Sequence, residues 1–486
     1  MEDSPHTHSI RQLMDRSGVR FGTSGARGLV EDMTDPVCFA YTLAFLQAID
    51  AKPGGRVALG MDLRPSSPRI AAACCAAIHH AGLRAEHCGV LPTPALAYYA
   101  QEQGIPALMV TGSHIPFDRN GIKFYRPKGE ITKADEAAIG QASVSLPEAT
   151  SMPLPEVSEA AQRVYADRYL RFFPARALAG MRLGFYEHSS VARDLLTRIL
   201  HALGAEVISL GRTDRFVPID TEAVSEADVR QARRWAAEHG FDAILSTDGD
   251  ADRPLLGDER GDWLRGDIVG ILCAQYLGAD AVATPVSSNT ALEKCGHFAR
   301  VTRTRIGSPY VIEAMEALAA QGAANVVGFE ANGGFLVGAR VEREGRILEP
   351  LPTRDAVLPI LALLCMTRER GIRLSALSHS LPERYTASDR LQDFPAMQSR
   401  ALLERLTASR DAVGALTADL CGPAVHLDLT DGLRITHENG EIVHLRPSGN
   451  APELRCYAEA DSQERAIGLT GECLARIRDQ APEPIV

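Results

Sequence analysis

One serine of the chain stands where it could carry a covalent intermediate. Ser113 follows the apolar run Ala107–Val110 and a Thr-Gly pair, within the segment MVTGSHIPFDRNGIKF. A serine that accepts a phosphoryl group needs a nearby proton acceptor and cations around the phosphate. His114 and Lys123 are suited to these two tasks. For this segment alone, an ordinary Ser/Thr/Gly turn with solvated charges remains the better interpretation.

Three aspartates at alternating positions form a metal-binding pattern. Asp248, Asp250 and Asp252 occur in the segment TDGDADRP, after the apolar run Ala243–Leu245. Carboxylates spaced in this way can converge on one hard cation, and Mg²⁺ suits a site with few carboxylates. A calcium loop is the main alternative, but its sixth position needs glycine and is Arg253 here, and the flanks have strand patterns. A solvated acidic turn is the other alternative.

A third segment has the composition of an anion-binding loop. Arg446 to Arg455 read RPSGNAPELR and join two stretches of alternating apolar and polar residues. Backbone N–H groups around Ser448, with an arginine at each end, would form a phosphate cradle. Ser-Gly-Asn is also common turn chemistry, so the segment favours this interpretation without requiring it.

Two glycine-rich loops carry further polar groups. Glu330 and Asn332, in GFEANGGF, offer acceptor and donor groups that suit sugar hydroxyls. A glycine-rich hairpin with exposed polar residues explains this segment equally well. Arg27, in FGTSGARG, could reach an anion. The GxGxxG spacing and a preceding strand are missing there, which disfavours a dinucleotide site.

These loops follow elements that alternate between strand and helix patterns, which is typical of an α/β protein. Strands are predicted at Arg56–Met61, Ala107–Val110, Met181–Phe185 and Ala243–Leu245. A helix is predicted to start with Ser67 as N-cap and Pro68 in its first turn, and to stop at Gly82. Near the C-terminus, Asp431-Gly432 and Asn439-Gly440 predict two hairpin turns.

The chain of 486 residues is too long for one hydrophobic core, since cores stop growing at roughly 250–300 residues. We predict three α/β domains with mixed sheets and a smaller C-terminal α+β domain around a central cleft. Loops at strand ends are where α/β folds build such a shared cleft. The predicted ranges are 1–150 with the serine loop, 158–258 with the aspartate loop, 259–370 with the Glu330 loop, and 378–486 with the Arg446 loop.

The composition excludes some classes of partner. A net charge of −11 and a sequence pI of about 5.7 argue against nucleic-acid binding, which needs a basic surface. The longest apolar run, 356–366, is too short to span a membrane, and the N-terminal segment lacks the apolar core of a secretory signal. The 10 cysteines include no CxxC pair. We therefore expect reduced thiols and a cytoplasmic enzyme without nucleic-acid or membrane partners.

Four motifs together resemble the α-D-phosphohexomutase superfamily. FGTSGARG, TGSHIPFDRNGIK, DGDADR and RPSGNAPELR occur in the family's order and cover nearly the whole chain. The resemblance implies four domains around a central cleft and a phosphoryl transfer between two positions of a hexose phosphate. It implies that Ser113 is phosphorylated and that a hexose 1,6-bisphosphate is both the intermediate and the activator.

The resemblance also implies a set of site residues. The phosphate of Ser113 would join Asp248, Asp250 and Asp252 in binding Mg²⁺. The groups for proton transfer and charge stabilisation would be Lys123, His114, Arg27 and Arg253. Those that bind the sugar or its second phosphate would be Arg305, Gly307, Glu330, Asn332, Arg446, Ser448, Gly449, Asn450 and Arg455. The partner would be a small hexose phosphate, and the protein a monomer or a homodimer.

The sequence departs from the family pattern at positions that bear on sugar choice. Asn332 stands where many members have Ser, Gly334 where many have His, and Asn450 where Thr is commoner. Mannose phosphate is the predicted substrate, followed by glucose phosphate and then glucosamine phosphate. A serine-based sugar phosphatase and an inactive sugar-phosphate-binding protein are the alternatives from other classes.

Overall fold

The structure, a computed structural model, describes residues 7–22, 25–448 and 452–480. The chain divides into two compact units, which are treated separately below. The first unit comprises Met1–Val282 and Gly307–Ser378, and the second comprises Ala283–Ile306 and His379–Val486.

The N-terminal part of the first unit is a mixed sheet covered by helices. Its elements are β1 (Thr7–Ser9), α1 (Ile10–Ser17), β2 (Arg20–Phe21), β3 (Ala26–Leu29), α2 (Asp35–Ala48), β4 (Arg56–Met61), α3 (Ser67–His80), β5 (Arg84–Val90), α4 (Thr93–Gln103), β6 (Ala107–Val110), β7 (Arg119–Arg126), β8 (Gly129–Glu130), α5 (Lys133–Gln141) and β9 (Ser143–Ser145). The main sheet has the order β2-β3-β7-β6-β4-β5. β4 is parallel to β5 and β6, whereas β7 is antiparallel to β6 and β3. Helices α3 and α4 supply the crossovers that parallel strands require.

The helices of this part are held by their apolar surfaces. α2 buries every residue from Val37 to Leu46, as expected for a helix inside a large core. α3 begins at Ser67, with Ser66 as N-cap and a proline in its first turn. The predicted N-cap, Ser67, is therefore one residue late. Gly82 has φ 72° just after the helix, which confirms the predicted stop.

The next part of the first unit contains the aspartate loop. Its elements are α6 (Ala160–Phe172), β10 (Arg182–Tyr186), α7 (Arg193–Ala202), β11 (Glu206–Leu210), α8 (Glu226–His239), β12 (Ala243–Thr247) and β13 (Pro254–Gly257). The sheet has the order β11-β10-β12-β13. β10 is parallel to β11 and β12, and β13 is antiparallel to β12. The aspartate loop thus joins two hairpin strands, which confirms its predicted strand flanks and excludes the helix–loop–helix calcium site.

The following elements include the Glu330 loop. They are α9 (Gly266–Tyr276), β14 (Ala281–Pro285), α10 (Ala291–Lys294), β15 (Arg300–Thr304), α11 (Ser308–Ala320), β16 (Val326–Phe329), β17 (Phe335–Val337), β18 (Val341–Arg343), β19 (Arg346–Leu348), β20 (Leu351–Asp355), α12 (Val357–Arg370) and α13 (Leu374–Ser378). The boundary between the units falls in β14, so α10 and β15 belong to the second unit. β17 lies between β16 and β20 and is antiparallel to both.

The C-terminal part belongs to the second unit and is an antiparallel sheet with helices. Its elements are β21 (Tyr385–Leu391), α14 (Ala396–Ala408), α15 (Arg410–Cys421), β22 (Ala424–Asp428), β23 (Leu433–His437), β24 (Ile442–Pro447), β25 (Leu454–Ala460) and α16 (Gln463–Gln480). The strand order is β21-β25-β24-β23-β22, and each pair is antiparallel. The turns at Asp431-Gly432 and Asn439-Gly440 lie where the sequence predicts them.

Two expectations from composition can be compared with the structure. The 10 cysteines all lie in the described residues, form no disulfide, and are buried except for the half-buried Cys295. Among the helices that the structure describes, none is long and apolar enough to cross a membrane.

Candidate active site

Ser113 lies in the loop between β6 and β7 and is completely buried. Its hydroxyl donates a hydrogen bond to Asp248 Oδ2 at 2.6 Å and lies 3.3 Å from His114 Nδ1. Its own N–H donates to Thr111 Oγ1 at 2.8 Å. With φ 54°, Ser113 adopts the left-handed backbone that non-glycine residues avoid. Such strain costs on the order of 1–3 kcal/mol and is typical of functional loops.

Arg64, which the sequence analysis missed, holds this loop in place. Its guanidinium is buried, pairs with Asp62, and lies 4.0 Å from the centre of the Phe216 ring. It donates to carbonyl oxygens of the serine loop, those of Ser113, Ile115, Pro116 and Arg119, over 2.6–2.9 Å. A Cβ on Gly112 would come within 2.5 Å of this guanidinium, so glycine is required there. Asp62-x-Arg64 directly after strand β4 is the sequence signal that could have revealed it.

The aspartate loop brings its three carboxylates together in the fold. Asp248, Asp250 and Asp252 are buried, and one oxygen of each lies within 4.8 Å of the others. Asp248 Oδ1 accepts hydrogen bonds from the N–H groups of Asp252 and Arg253, both at 3.2 Å. Ala251, with φ 56°, is a left-handed non-glycine residue in this loop, as Ser113 is in the serine loop.

Some carboxylate oxygens of Asp250 and Asp252 accept hydrogen bonds and others do not, and this division fits a bound cation. Asp250 Oδ2 accepts from Thr93 Oγ1 and from Lys123 Nζ, both at 2.6 Å, and Asp252 Oδ2 accepts from Lys123 Nζ at 2.7 Å. Asp250 Oδ1 and Asp252 Oδ1 are buried without a hydrogen-bond partner among the described residues. Buried carboxylate oxygens of this kind normally have a partner or a metal ion. The residues therefore fit a hard cation.

Burial and neighbouring charges set the ionisation of these groups. Burial, followed by the charges of Asp250 and Asp252, raises the pKa of Asp248 well above its ordinary value. Burial alone would also raise the pKa of Asp252, but Arg354, Lys123 and Arg253 together hold it far below its ordinary value. A bound divalent cation would oppose the rise in the pKa of Asp248.

The remaining cations lie around Ser113. The charge of Arg253, followed by burial, lowers the pKa of His114 well below its ordinary value, while Asp220 opposes this shift. His114 is therefore neutral at pH 7 and able to accept a proton. Burial, followed by Arg253 and Arg354, lowers the pKa of Arg27 to about 10. Arg253 and Arg27 both act on His114, the neighbour of Ser113, and supply the kind of positive charge that a phosphoryl group would require.

The Glu330 loop is a hairpin, but its polar residues are buried rather than exposed. It joins β16 to β17, and the side chains of Glu330 and Asn332 are nearly inaccessible. The side-chain oxygen Oδ1 of Asn332 accepts from the N–H of Gly334 at 3.0 Å. The backbone carbonyl oxygen of Asn332 accepts from Thr221 Oγ1 at 2.8 Å. Arg354, also missed in the sequence, donates to Glu330 Oε2 at 2.8 Å. The exposed-hairpin alternative is therefore excluded.

The phosphate-loop residues of the second unit also come together. Arg446 Nε donates to Asp431 Oδ2 at 2.8 Å, and the same oxygen accepts from the N–H of Ile306 at 2.9 Å. Arg305 donates to the carbonyl of Thr430 at 3.2 Å. Arg455 lies opposite Arg446 in the strand pair β24–β25, and the N–H of Ser448 donates to Glu453.

Three predicted residues need separate mention. Gly449 and Asn450 lie outside the described residues. Gly307, with φ 131°, lies in the first unit as the N-cap of α11. The structure therefore assembles the predicted serine, aspartate and Glu330 groups in one unit and the arginine groups in the other.

Comparison with known families gives the class of this arrangement. Four family models match, each described as phosphoglucomutase/phosphomannomutase: domain I over residues 18–148, domain II over 163–261, domain III over 265–385 and the C-terminal domain over 396–472. The four domains follow one another along most of the chain. They define a phosphohexomutase fold.

Full-length relatives agree with these matches. A phosphomannomutase of Salmonella muenchen is 50% identical over 475 residues, covering 97% of this chain and 98% of that protein. A phosphomannomutase of Sinorhizobium fredii is 47% identical and covers 94% of this chain and 98% of that protein. A phosphoglucosamine mutase of Deinococcus radiodurans is 29% identical, covering 91% of this chain and 94% of that protein.

Solved structures share the fold. A phosphoglucomutase/phosphomannomutase family protein of Burkholderia thailandensis superposes with a TM-score of 0.71 at 20% identity, covering 95% of this chain and 98% of that one. N-acetylphosphoglucosamine mutase of Aspergillus fumigatus, in complex with GlcNAc-6P and magnesium, gives 0.61 at 14% identity, covering 97% and 99%. The chain belongs to the phosphoglucomutase/phosphomannomutase family. The predicted superfamily, fold class and phosphomutase type of enzyme are thereby confirmed.

Proposed function

We propose that this protein is a phosphomannomutase that interconverts mannose 6-phosphate and mannose 1-phosphate through a phosphorylated Ser113. The observation that carries the proposal is the buried hydrogen bond of 2.6 Å between Ser113 Oγ and Asp248 Oδ2, because it sets the serine directly against the aspartate loop. The relatives at 50% and 47% identity that are named phosphomannomutase support the choice of mannose.

In the proposed cycle, a hydroxyl oxygen of the sugar attacks the phosphorus of phosphoserine. The new P–O bond forms on the sugar while the bond to Ser113 Oγ breaks. The hydroxyl proton passes to neutral His114, which lies 3.3 Å from Ser113 Oγ and returns a proton to that oxygen as it leaves. The resulting hexose 1,6-bisphosphate reorients and returns its other phosphoryl group to Ser113 Oγ. A trace of this bisphosphate is the activator that would prime unphosphorylated enzyme.

The charges of the site support this chemistry. Mg²⁺ held by Asp248, Asp250 and Asp252 would stabilise negative charge on the transferred phosphoryl group. Lys123 and Arg253, together with Arg354, keep Asp252 ionised and place fixed positive charge beside the aspartate loop. Because these groups are buried, their electrostatic effect is larger than it would be in water.

Substrate binding is assigned to the two remaining loops. Glu330 and Asn332 would hold sugar hydroxyls, Asn332 through its amide N–H₂, since its carbonyl oxygen Oδ1 accepts from the N–H of Gly334. The phosphate that is not being transferred would be bound by residues of the second unit. Those residues are Arg305, Arg446, Ser448, Gly449, Asn450 and Arg455.

Phosphorus NMR of the purified protein tests the proposal directly. The protein is incubated with Mg²⁺, a trace of glucose 1,6-bisphosphate, and mannose 1-phosphate or glucose 1-phosphate in separate tubes. We expect the 6-phosphate signal to appear without free phosphate, and faster with mannose 1-phosphate. A faster reaction with glucose 1-phosphate would make the protein a phosphoglucomutase, and activity with glucosamine 1-phosphate alone a phosphoglucosamine mutase.

Two other outcomes contradict a mutase of any kind. Accumulation of inorganic phosphate would indicate a sugar phosphatase, which would require water to reach the phosphoserine. Binding of each sugar phosphate without conversion, even after priming with bisphosphate, would indicate an inactive sugar-phosphate-binding protein.

A further inference from the structure

Arg354 connects the aspartate loop to the Glu330 loop. It lies in strand β20, and its side chain is 3% exposed. Its Nη2 and Nε donate to Asp252 Oδ2 at 2.8 and 3.2 Å, while its Nη1 donates to Glu330 Oε2 at 2.8 Å. One planar guanidinium thus fixes two carboxylates that lie 78 positions apart in the sequence (330 − 252 = 78).

The residues on both sides of Arg354 hold its backbone. Thr353 Oγ1 donates to Glu130 Oε1 at 2.6 Å. Asp355 accepts hydrogen bonds from the hydroxyls of Tyr165, at 2.6 Å, and Tyr169. These contacts join β20 to strand β8 and to helix α6. Three elements, β20, β8 and α6, therefore hold the backbone from which the guanidinium extends.

The Glu330 loop is shaped to accept this side chain. A Cβ on Gly334 would lie 2.6–3.0 Å from the Cβ, Cγ and Cδ atoms of Arg354. A side chain at position 334 would therefore collide with the stem of Arg354. Glycine at position 334 is therefore what allows the stem of Arg354 to pack against this loop.

The two carboxylates depend on Arg354 to different extents. Asp252 Oδ2 also accepts from Lys123 Nζ, and Asp252 retains that cation when Arg354 is removed. Glu330, by contrast, forms its ion pair among the described residues with Arg354. Loss of the guanidinium would leave the Glu330 carboxylate buried without it, and free to rotate or to take up a proton.

We propose that Arg354 is a positioning residue that fixes the Glu330 carboxylate for sugar recognition and couples it to the aspartate loop. The inference rests on the proposed function. Since Glu330 Oε2 is held by Arg354, Oε1 is the oxygen presented to the sugar. Mannose and glucose differ only at C2, so a carboxylate that holds the O3 or O4 hydroxyl would contact both sugars alike. Arg354 therefore acts equally on both substrates.

The test compares Arg354→Met and Arg354→Lys with Arg233→Met, a matched control. Arg233 forms an ion pair with Asp262 at 2.6 Å on the exposed surface. We expect kcat/KM for mannose 1-phosphate and glucose 1-phosphate to fall by the same factor, about 100-fold, in Arg354→Met. Arg354→Lys should recover part of this loss, because one of the two ion pairs can re-form. Arg233→Met should behave as wild type.

A double-mutant cycle separates positioning from general damage. If Arg354 acts through Glu330, the double variant Arg354→Met/Glu330→Gln should be no more than about 3-fold worse than Glu330→Gln alone. If the fold losses in kcat/KM of the two single variants simply multiply in the double variant, the inference is overturned. Wild-type kinetics in Arg354→Met would overturn it as well.

Calorimetric binding of mannose 1-phosphate provides a readout that does not depend on turnover. We expect the Kd to rise in Arg354→Met and to stay unchanged in Arg233→Met. If the wild type binds the sugar phosphate but does not isomerise it, the proposed function fails while the Kd values still decide the role of Arg354. Equal Kd values in Arg354→Met and wild type would refute that role.

Discussion

The two charged regions of this protein differ in how firmly their ion pairs are held. In the first unit, Lys123, Asp250 and Asp252 are at most 4% exposed and share short hydrogen bonds. In the second unit, the side chains of Arg446 and Asp431 are 19% and 18% exposed. Buried pairs interact strongly and are costly to break, whereas exposed pairs are worth about 0–1 kcal/mol.

This difference matches the two tasks of a mutase. Phosphoryl transfer benefits from charges fixed in advance around the reacting phosphate, and the buried cluster provides them. An intermediate that must turn around needs a phosphate grip that can open and close. Arg446, which pairs with a partly exposed carboxylate, can exchange Asp431 for a phosphate at low cost. The predictions below test this contrast, from the largest expected effect to the smallest.

Removal of the phosphate carrier should have the largest effect. Ser113→Ala deletes the oxygen proposed to receive the phosphoryl group, so turnover should fall by about 10⁴-fold or more. Phosphorus NMR measures the loss, and intact-mass analysis after incubation with glucose 1,6-bisphosphate should show a phosphorylated wild type and an unmodified variant. Ser158→Ala, outside the site, is the control. Residual turnover above a few per cent of wild type would show that another group carries the phosphate.

Weakening the aspartate loop should have the next largest effect. Asp250→Asn removes one charge from the proposed metal ligands and should lower kcat by about 10³-fold. Mg²⁺ at 100 times its Kd should stabilise the wild type by about 2.7 kcal/mol, and this gain, measured by thermal unfolding, should be much smaller in the variant. Asp262→Asn is the control on the surface. A wild type that is indifferent to both chelator and Mg²⁺ would contradict the metal assignment.

The contrast between the regions also explains what the sequence could predict. Ser113 and the three aspartates lie in short segments whose residue types and spacing indicate their chemistry. The strands that carry them were predicted to within a residue or two: Ala107–Val110 matches the observed strand, and Ala243–Leu245 compares with the observed Ala243–Thr247. Local patterns fix such elements because hydrophobic periodicity and turn residues act over a few positions.

Arg64 and Arg354 could not be found in the same way. Each acts on a loop that is distant in sequence: Arg64 contacts Ser113, 49 positions later, and Arg354 contacts Asp252, 102 positions earlier. An arginine at a strand end looks the same in the sequence whether it is solvated or buried. The burial of Glu330 was missed for this reason, since it depends on Arg354. The predicted domain boundaries and the oligomeric state stay predictions.

The phosphate loop should respond more mildly than the buried cluster. Arg446→Gln removes one charged hydrogen-bond donor to the substrate phosphate, so KM should rise by about 10- to 100-fold with a smaller change in kcat. Steady-state kinetics with mannose 1-phosphate measure this split, with Arg478→Gln on the exposed face of α16 as control. A fall in kcat as large as that of Asp250→Asn, without a change in KM, would remove the distinction between the two regions.

The smallest effect concerns the support beneath that loop. His444 donates through Nε2 to the carbonyl of Asp431 at 2.6 Å and stacks on Tyr457. Burial, with smaller contributions from Arg434 and Arg446, lowers its pKa from 6.5 to about 4 against the opposing effect of Asp431. The unfolded chain therefore binds a proton between pH 6.5 and 4 that the folded protein does not bind, so this residue lowers stability as pH falls through that window.

Between pH 7 and pH 5.5, His444 should account for a loss of about 1 kcal/mol in the free energy of unfolding. His444→Gln keeps a donor for the Asp431 carbonyl but does not titrate, so its stability should decline less steeply over the same range. Urea unfolding at several pH values measures both slopes, and the difference between them isolates His444 from the other histidines. Parallel slopes would mean that His444 is protonated in the folded state. The region around His444 would then be more accessible to water, relative to the buried cluster, than the exposure of its ion pairs indicates.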